Sequence, residues 1–121
     1  LDIPSKVQFR KLIASVQTES RCIVISTHQV RDLNSLIDTL LVLHEREIVV
    51  NRSMDEIAEK LSFGIYPDTV GLPVLYEEEN IQGKSAILQN TTGEFSKVDM
   101  ELLFNAIING SEAILEILKA P

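Results

Sequence analysis

R-C-I-V-I-S-T-H-Q-V-R-D-L, residues Arg21 to Leu33, is the stretch in which an apolar run, helix-capping hydroxyls and a titratable side chain follow one another directly. Cys22 to Ile25 is short, unbroken and rich in β-branched residues, which suits a strand covered on both faces, as in a parallel sheet. Ser26 and Thr27 end the run with hydroxyls able to cap a helix, and Val30, Leu33, Leu36 and Ile37 then recur at helical spacing. His28 therefore falls at the strand's exit. Ligands of open α/β sheets collect outside the carboxyl ends of the strands, so His28 is the first candidate for chemistry.

Toward the amino end, Pro4 suits the first turn of a helix, where a missing N–H costs nothing. Phe9, Leu12, Ile13 and Val16 then form one apolar stripe, the pattern of a helix packed on a sheet. Asp2, just ahead of it, reads from position alone as a carboxylate favoured by the helix dipole.

Toward the carboxyl end, Leu40 to Leu43 and Ile48 to Asn51 are β-rich runs joined by a polar link, which predicts a hairpin. A two-residue turn at Glu45-Arg46 would place L-residues in the left-handed region at about 1 kcal/mol each, a cost that favours a longer link. His44 belongs to that solvated turn. Ser53 and Glu56 make a capping box, and Met54, Ile57, Ala58 and Leu61 are the buried stripe of a helix ended by Phe63-Gly64. A first domain is expected to close here, at residues 1–62.

From residue 63 the character changes. Pro67-Asp68 and Gly71-Leu72-Pro73 are turn signals, and Val74 to Tyr76 and Ala86 to Leu88 are short strand candidates joined by a solvated link at Glu77 to Asn80. Asn90 to Gly93 reads as a further turn. Ser96-x-x-Asp99 opens a helix with Leu102, Leu103, Ala106 and Ile107 inward, Asn109-Gly110 breaks it, and Ser111 restarts a shorter one carrying Ile114, Leu115 and Leu118. Residues 63–121 thus form a small accessory domain, whose last apolar stripe is core or, in part, a subunit contact.

The 121 residues suffice for one ordinary core or two very small ones, and no apolar segment approaches the length that spans a bilayer. The chain opens on Leu1 rather than Met, as expected of a fragment, with no signal-peptide pattern at its start. Cys22 is the only cysteine and lies in the apolar run, which suits a small core hydrophobe in a reducing compartment. Up to Ser62 there are nine acidic and eight basic residues; from Phe63 onward there are nine and three, so nearly all of the net charge of −7 lies in the second half. Such a surface repels nucleic acid and anionic lipid headgroups.

S-T-H-Q-V-x-D after a buried strand resembles the switch-histidine loop of ABC transporter ATPases, with Leu1-Asp2 similar to the end of the D-loop and the hairpin and capped helix similar to the closing elements of that family. The resemblance covers the first half of the chain. It implies an α/β fold in which residues 1–62 are the C-terminal part of a P-loop nucleotidase core, followed by a small α+β accessory, regulatory or dimerisation domain at 63–121. It further implies a cytoplasmic protein on the inner face of a bacterial membrane, working as a homodimer with a second ATP-binding subunit and a transmembrane permease. ATP and Mg²⁺ would be its cofactors in the intact parent, with none expected on this fragment. By the resemblance, His28 senses the γ-phosphate and Asp2 reaches across the dimer. The main base, the phosphate loop, the glutamine loop and the signature loop would lie elsewhere, so this fragment is expected to be inactive alone.

Other constellations carry less. A lone histidine after a strand is ordinarily a hydrogen-bonded surface or core residue, and only its context raises His28 above that. Gly83-Lys84-Ser85 imitates the tail of a phosphate loop, but Glu78 stands at the first glycine position and the residues after Ser85 read as strand rather than helix. Ser26 with His28 and Asp32 would be a hydrolytic set, yet Ser26 and His28 diverge at a strand end and lack elbow glycines. His28, Asp32 and His44 lack metal-ligand spacing and a fourth donor, so no metal is assigned. The competing class is a free-standing regulatory or dimerisation module without catalysis.

Overall fold

A computed structural model of the chain describes residues 8, 11–15 and 36–120. The chain forms two units, Leu1–Ile37 and Asp38–Pro121. Ser62, where the sequence suggests a boundary, lies inside a strand of the second unit. In the first unit residues 11–15 are helical, on the stripe that predicts it, with Ile13 half-buried and Leu12 60% exposed. The strand expected at Cys22 to Ile25 falls outside the described residues. The described chain is mixed α/β, with two small antiparallel sheets.

Strands β1 (Thr39–His44) and β2 (Glu47–Ser53) pair as an antiparallel hairpin. Alternation puts Leu41 and Leu43 on the exposed face and Val42 on the buried one, opposite its buried cross-strand partner Val50; Ile48, which pairs with Leu43 across a register shift, is exposed with it. A register shift after Val42 leaves Val49 as an extra residue. The longer link favoured on conformational cost is not what forms. The turn is the tight one, Glu45 at φ 50° and Arg46 at φ 69°, because the primed geometry matches strand twist where an ordinary turn would splay the strands.

Helix α1 (Met54–Lys60) starts on the expected capping box: the Glu56 N–H donates to Ser53 Oγ at 3.0 Å and the Ser53 N–H to Glu56 Oε1 at 3.1 Å. It ends one residue before Leu61, whose extended backbone opens strand β3 (Leu61–Tyr66) directly. Leu61 completes the helical stripe and also begins the alternation Leu61, Phe63, so its position satisfied both periods and concealed the strand.

Strands β4 (Val74–Asn80) and β5 (Gly83–Gln89) complete a three-stranded sheet in the order β3-β5-β4. β4 and β5 are each longer than the expected runs. Glu77 to Asn80, read as a solvated link, continues β4, since an edge strand tolerates carboxylates on its open side. β3 and β4 both run antiparallel to β5, which lies between them, so residues 67–73 connect two strands that are parallel to each other but not paired. Gly64 lies under the ring of Tyr66, where a Cβ would sit 2.8 Å from the phenol oxygen.

Helix α2 (Met100–Ile108) is capped by Asp99, whose carboxylate accepts the Leu102 N–H at 3.1 Å. Its expected inward residues, Leu102, Leu103, Ala106 and Ile107, are buried. Asn109-Gly110 breaks the chain, and α3 (Glu112–Lys119) follows with Ile114 and Leu118 inward. Ile57, Leu61, Ile87, Leu103, Ile107, Ile114 and Leu118 form the fully buried set, each contributing about 1.5–3 kcal/mol of transfer free energy.

Candidate functional site

The two residues singled out for function, His28 and Asp2, lie outside the described residues, as do Ser26 and Asp32. His44 closes β1 beside the turn, half-buried, with Nε2 4.0 Å from Glu45 Oε1. Lys84, in the imitation of a phosphate loop, opens β5 and points to Glu77 at 3.6 Å, while Gly83 packs against the Tyr66 carbonyl. A strand with a carboxylate beside its lysine offers no anion cradle, which agrees with the dismissal made from sequence.

A polar site in the second unit is built where β2 passes into α1. Glu56 and Lys60 lie one turn apart on α1, and Arg52, the next-to-last residue of β2, reaches Glu56 from the strand. Arg52 Nη1 donates to Glu56 Oε2 at 2.9 Å. Its remaining donors reach the far end of the chain: Nε to the Leu118 carbonyl at 2.6 Å, and Nη2 to those of Lys119 at 3.2 Å and Ala120 at 2.8 Å. Lys60 Nζ donates to the carbonyls of Ile117 at 3.2 Å and Ala120 at 2.5 Å. Every carbonyl from Ile117 to Ala120, where a helix leaves acceptors unpaired, thus receives a cationic donor. The Ser53 backbone N–H, then the Arg52 guanidinium and the Ser53 hydroxyl, hold the Glu56 carboxyl below its usual range. The spacing 52, 56, 60 was the available sequence signal; its target, helix carbonyls more than fifty residues away, was not.

A second network joins sheet to helix. The Tyr76 hydroxyl donates to Glu78 Oε2 at 2.6 Å and accepts from Asn109 Nδ2 at 3.1 Å, while that amide also donates to the Asn105 carbonyl at 2.9 Å. The bond to Glu78, with burial second, raises the phenol above its ordinary value. Tyr76 is therefore a protonated, positioned donor at neutral pH and a poor nucleophile. Among the described residues no group of three or more His, Cys, Asp or Glu side chains could hold a metal ion, and no helix is long and apolar enough to cross a membrane.

Comparison of the chain with family models, curated proteins and solved structures finds no match. Chemically, the described residues offer structural anchoring: a cationic clamp on a helix end and a tyrosine bridge.

Proposed function

We propose that the chain is the carboxyl-terminal part of an ABC transporter ATP-binding subunit, coupling ATP binding and hydrolysis to membrane transport through His28. One observation carries the reading: S-T-H-Q-V-R-D after an apolar strand-like run is followed, in the family's order, by a tightly turned hairpin and a capped helix, β1, β2 and α1. In this reading the imidazole of His28 donates a hydrogen bond to the γ-phosphate and helps to position the attacking water. Asp2 contacts the second subunit of a homodimer, and a membrane permease receives the resulting motion. ATP with Mg²⁺ would supply the reactive phosphate and its charge neutralisation. Lys84 faces Glu77 rather than an anion site, and in this reading the phosphate-binding residues belong to the longer protein.

The test uses that longer protein. His28→Ala lowers the rate of ATP hydrolysis ~10²-fold or more, while nucleotide binding persists through the phosphate loop. An unchanged rate removes the catalytic role. The coding sequence upstream of Leu1 gives an independent check: a G-x-x-x-x-G-K-[ST] loop and an acidic strand end just before Leu1 support the reading, and their absence favours a regulatory or dimerisation module.

A further inference from the structure

The clamp around α3 has a consequence for how the second unit moves. Hairpin β1–β2 meets the rest of the unit chiefly through α1 and α3, and α3 touches β2, α1 and α2. It thereby joins the last residues of the chain to the hairpin. A helix of eight residues has too few internal bonds to hold itself, so the order of α3 is imposed from outside. Two restraints impose it. Ile114 and Leu118 are buried on its inner face, and Arg52 and Lys60 bind the carbonyls of its last three residues and of Ala120, which follows it.

The restraints belong to different partners. Arg52 belongs to β2 and Lys60 is the last residue of α1, so the polar one ties the end of α3 to the hairpin and its following helix. At the other end, the Ser111 N–H donates to the Ala106 carbonyl at 3.0 Å, fixing the start of α3 to α2. Asn109 in turn binds Tyr76 of the three-stranded sheet. α3 is thus anchored to the sheet side at its first turn and to the hairpin side at its last.

We propose that α3 is a strap that makes hairpin β1–β2 and the three-stranded sheet open as one cooperative body, with Arg52 and Lys60 as its releasable fastening. This stands on the contacts of the second unit and does not depend on the nucleotidase reading.

Native-state hydrogen exchange on the 121-residue chain tests the proposal. In the unaltered chain, β2 amides around Val50 and β5 amides around Ile87 exchange through a common opening. In R52Q/K60Q, the amides of β2 and of the last turn of α3 exchange ~10-fold or more faster while those around Ile87 keep their protection, because charge-assisted bonds at one end have been lost. R52K/K60R retains a cationic donor at each position and restores part of the common behaviour. Equal acceleration of β2 and β5 in R52Q/K60Q overturns the proposal, since the pair would then only add to global stability. No change in either strand overturns it as well.

Discussion

The hairpins β1–β2 and β4–β5 each turn over two residues, yet they place the conformational cost differently. In the first, Glu45 and Arg46 both adopt positive φ as ordinary L-residues. In the second, Ile81 and Gln82 do not, and the unusual backbone falls on the following glycine, Gly83, at φ 131°. The difference follows from surroundings. Leu43 and Ile48 beside the first turn are 69% and 60% exposed, so nothing crowds Glu45 and Arg46 and their cost is purely conformational. Gly83 is pressed against the end of β3, where a Cβ would lie 2.5 Å from the Tyr66 carbonyl oxygen. One turn is strained but free, and the other is relaxed only because it lacks a side chain.

The largest expected effect tests the second half of that contrast. Gly83→Ala combines a disfavoured φ with a backbone collision, and strain of this kind costs about 1–3 kcal/mol. Urea unfolding of the variant should show a lower midpoint with an unchanged slope. A wild-type midpoint would mean that the β3–β5 edge yields freely, and the two turns would no longer differ in kind.

The opposite sign is expected at the first turn. Asn-Gly is the pair that such a turn prefers, so Glu45→Asn with Arg46→Gly relieves left-handed strain of about 1–2 kcal/mol per L-residue. Glycine's greater freedom in the unfolded chain takes back about 0.5–1 kcal/mol. A gain of about 1 kcal/mol in the same urea experiment sharpens the comparison, and a loss would show that Glu45 or Arg46 supplies an interaction that outweighs its strain.

These two turns also mark where the sequence could be read. Elements whose signal is local were legible: the Ser53–Glu56 capping box, the inward face of α2, the break at Asn109-Gly110 and the hairpin of two β-rich runs. Features that depend on distant partners were not. β3 was concealed because Leu61 fits a helical and an alternating period together, and only pairing with β5 decides between them. The acidic residues of β4 look solvated in isolation, but hydrogen bonding to β5 makes them a strand. For the candidate site, the spacing of Arg52, Glu56 and Lys60 is present in the sequence, while the carbonyls that Arg52 and Lys60 bind are not marked there. His28 and Asp2 remain readings of motif and position, since they lie outside the described residues.

The smallest effect concerns the exits of the two hairpins, which are held by chemically different groups. After β5, the neutral amide of Asn90 donates to the carbonyls of Ala58 at 3.1 Å and Glu94 at 2.8 Å, and its oxygen accepts the Thr92 and Gly93 N–H groups. After β2, the corresponding duty falls to Glu56, a titratable carboxylate that accepts from Ser53 and Arg52. These bonds lower its folded pKa beneath 4.5, so the stability it adds is fully present above that value and is lost as pH falls through the folded pKa. Glu56→Gln keeps the amide-for-carboxylate capping geometry and removes the titration. Unfolding midpoints of the wild type and Glu56→Gln should therefore differ at neutral pH, with the wild type higher, and converge as pH falls through the lowered folded pKa of Glu56. Exchange of the Asn90-bound turn should show no such dependence. If the gap between wild type and variant stays the same from neutral pH to a pH at which the carboxyl is protonated, the charge on Glu56 contributes nothing to the exit of β2. The two hairpins would then be held alike, by geometry alone.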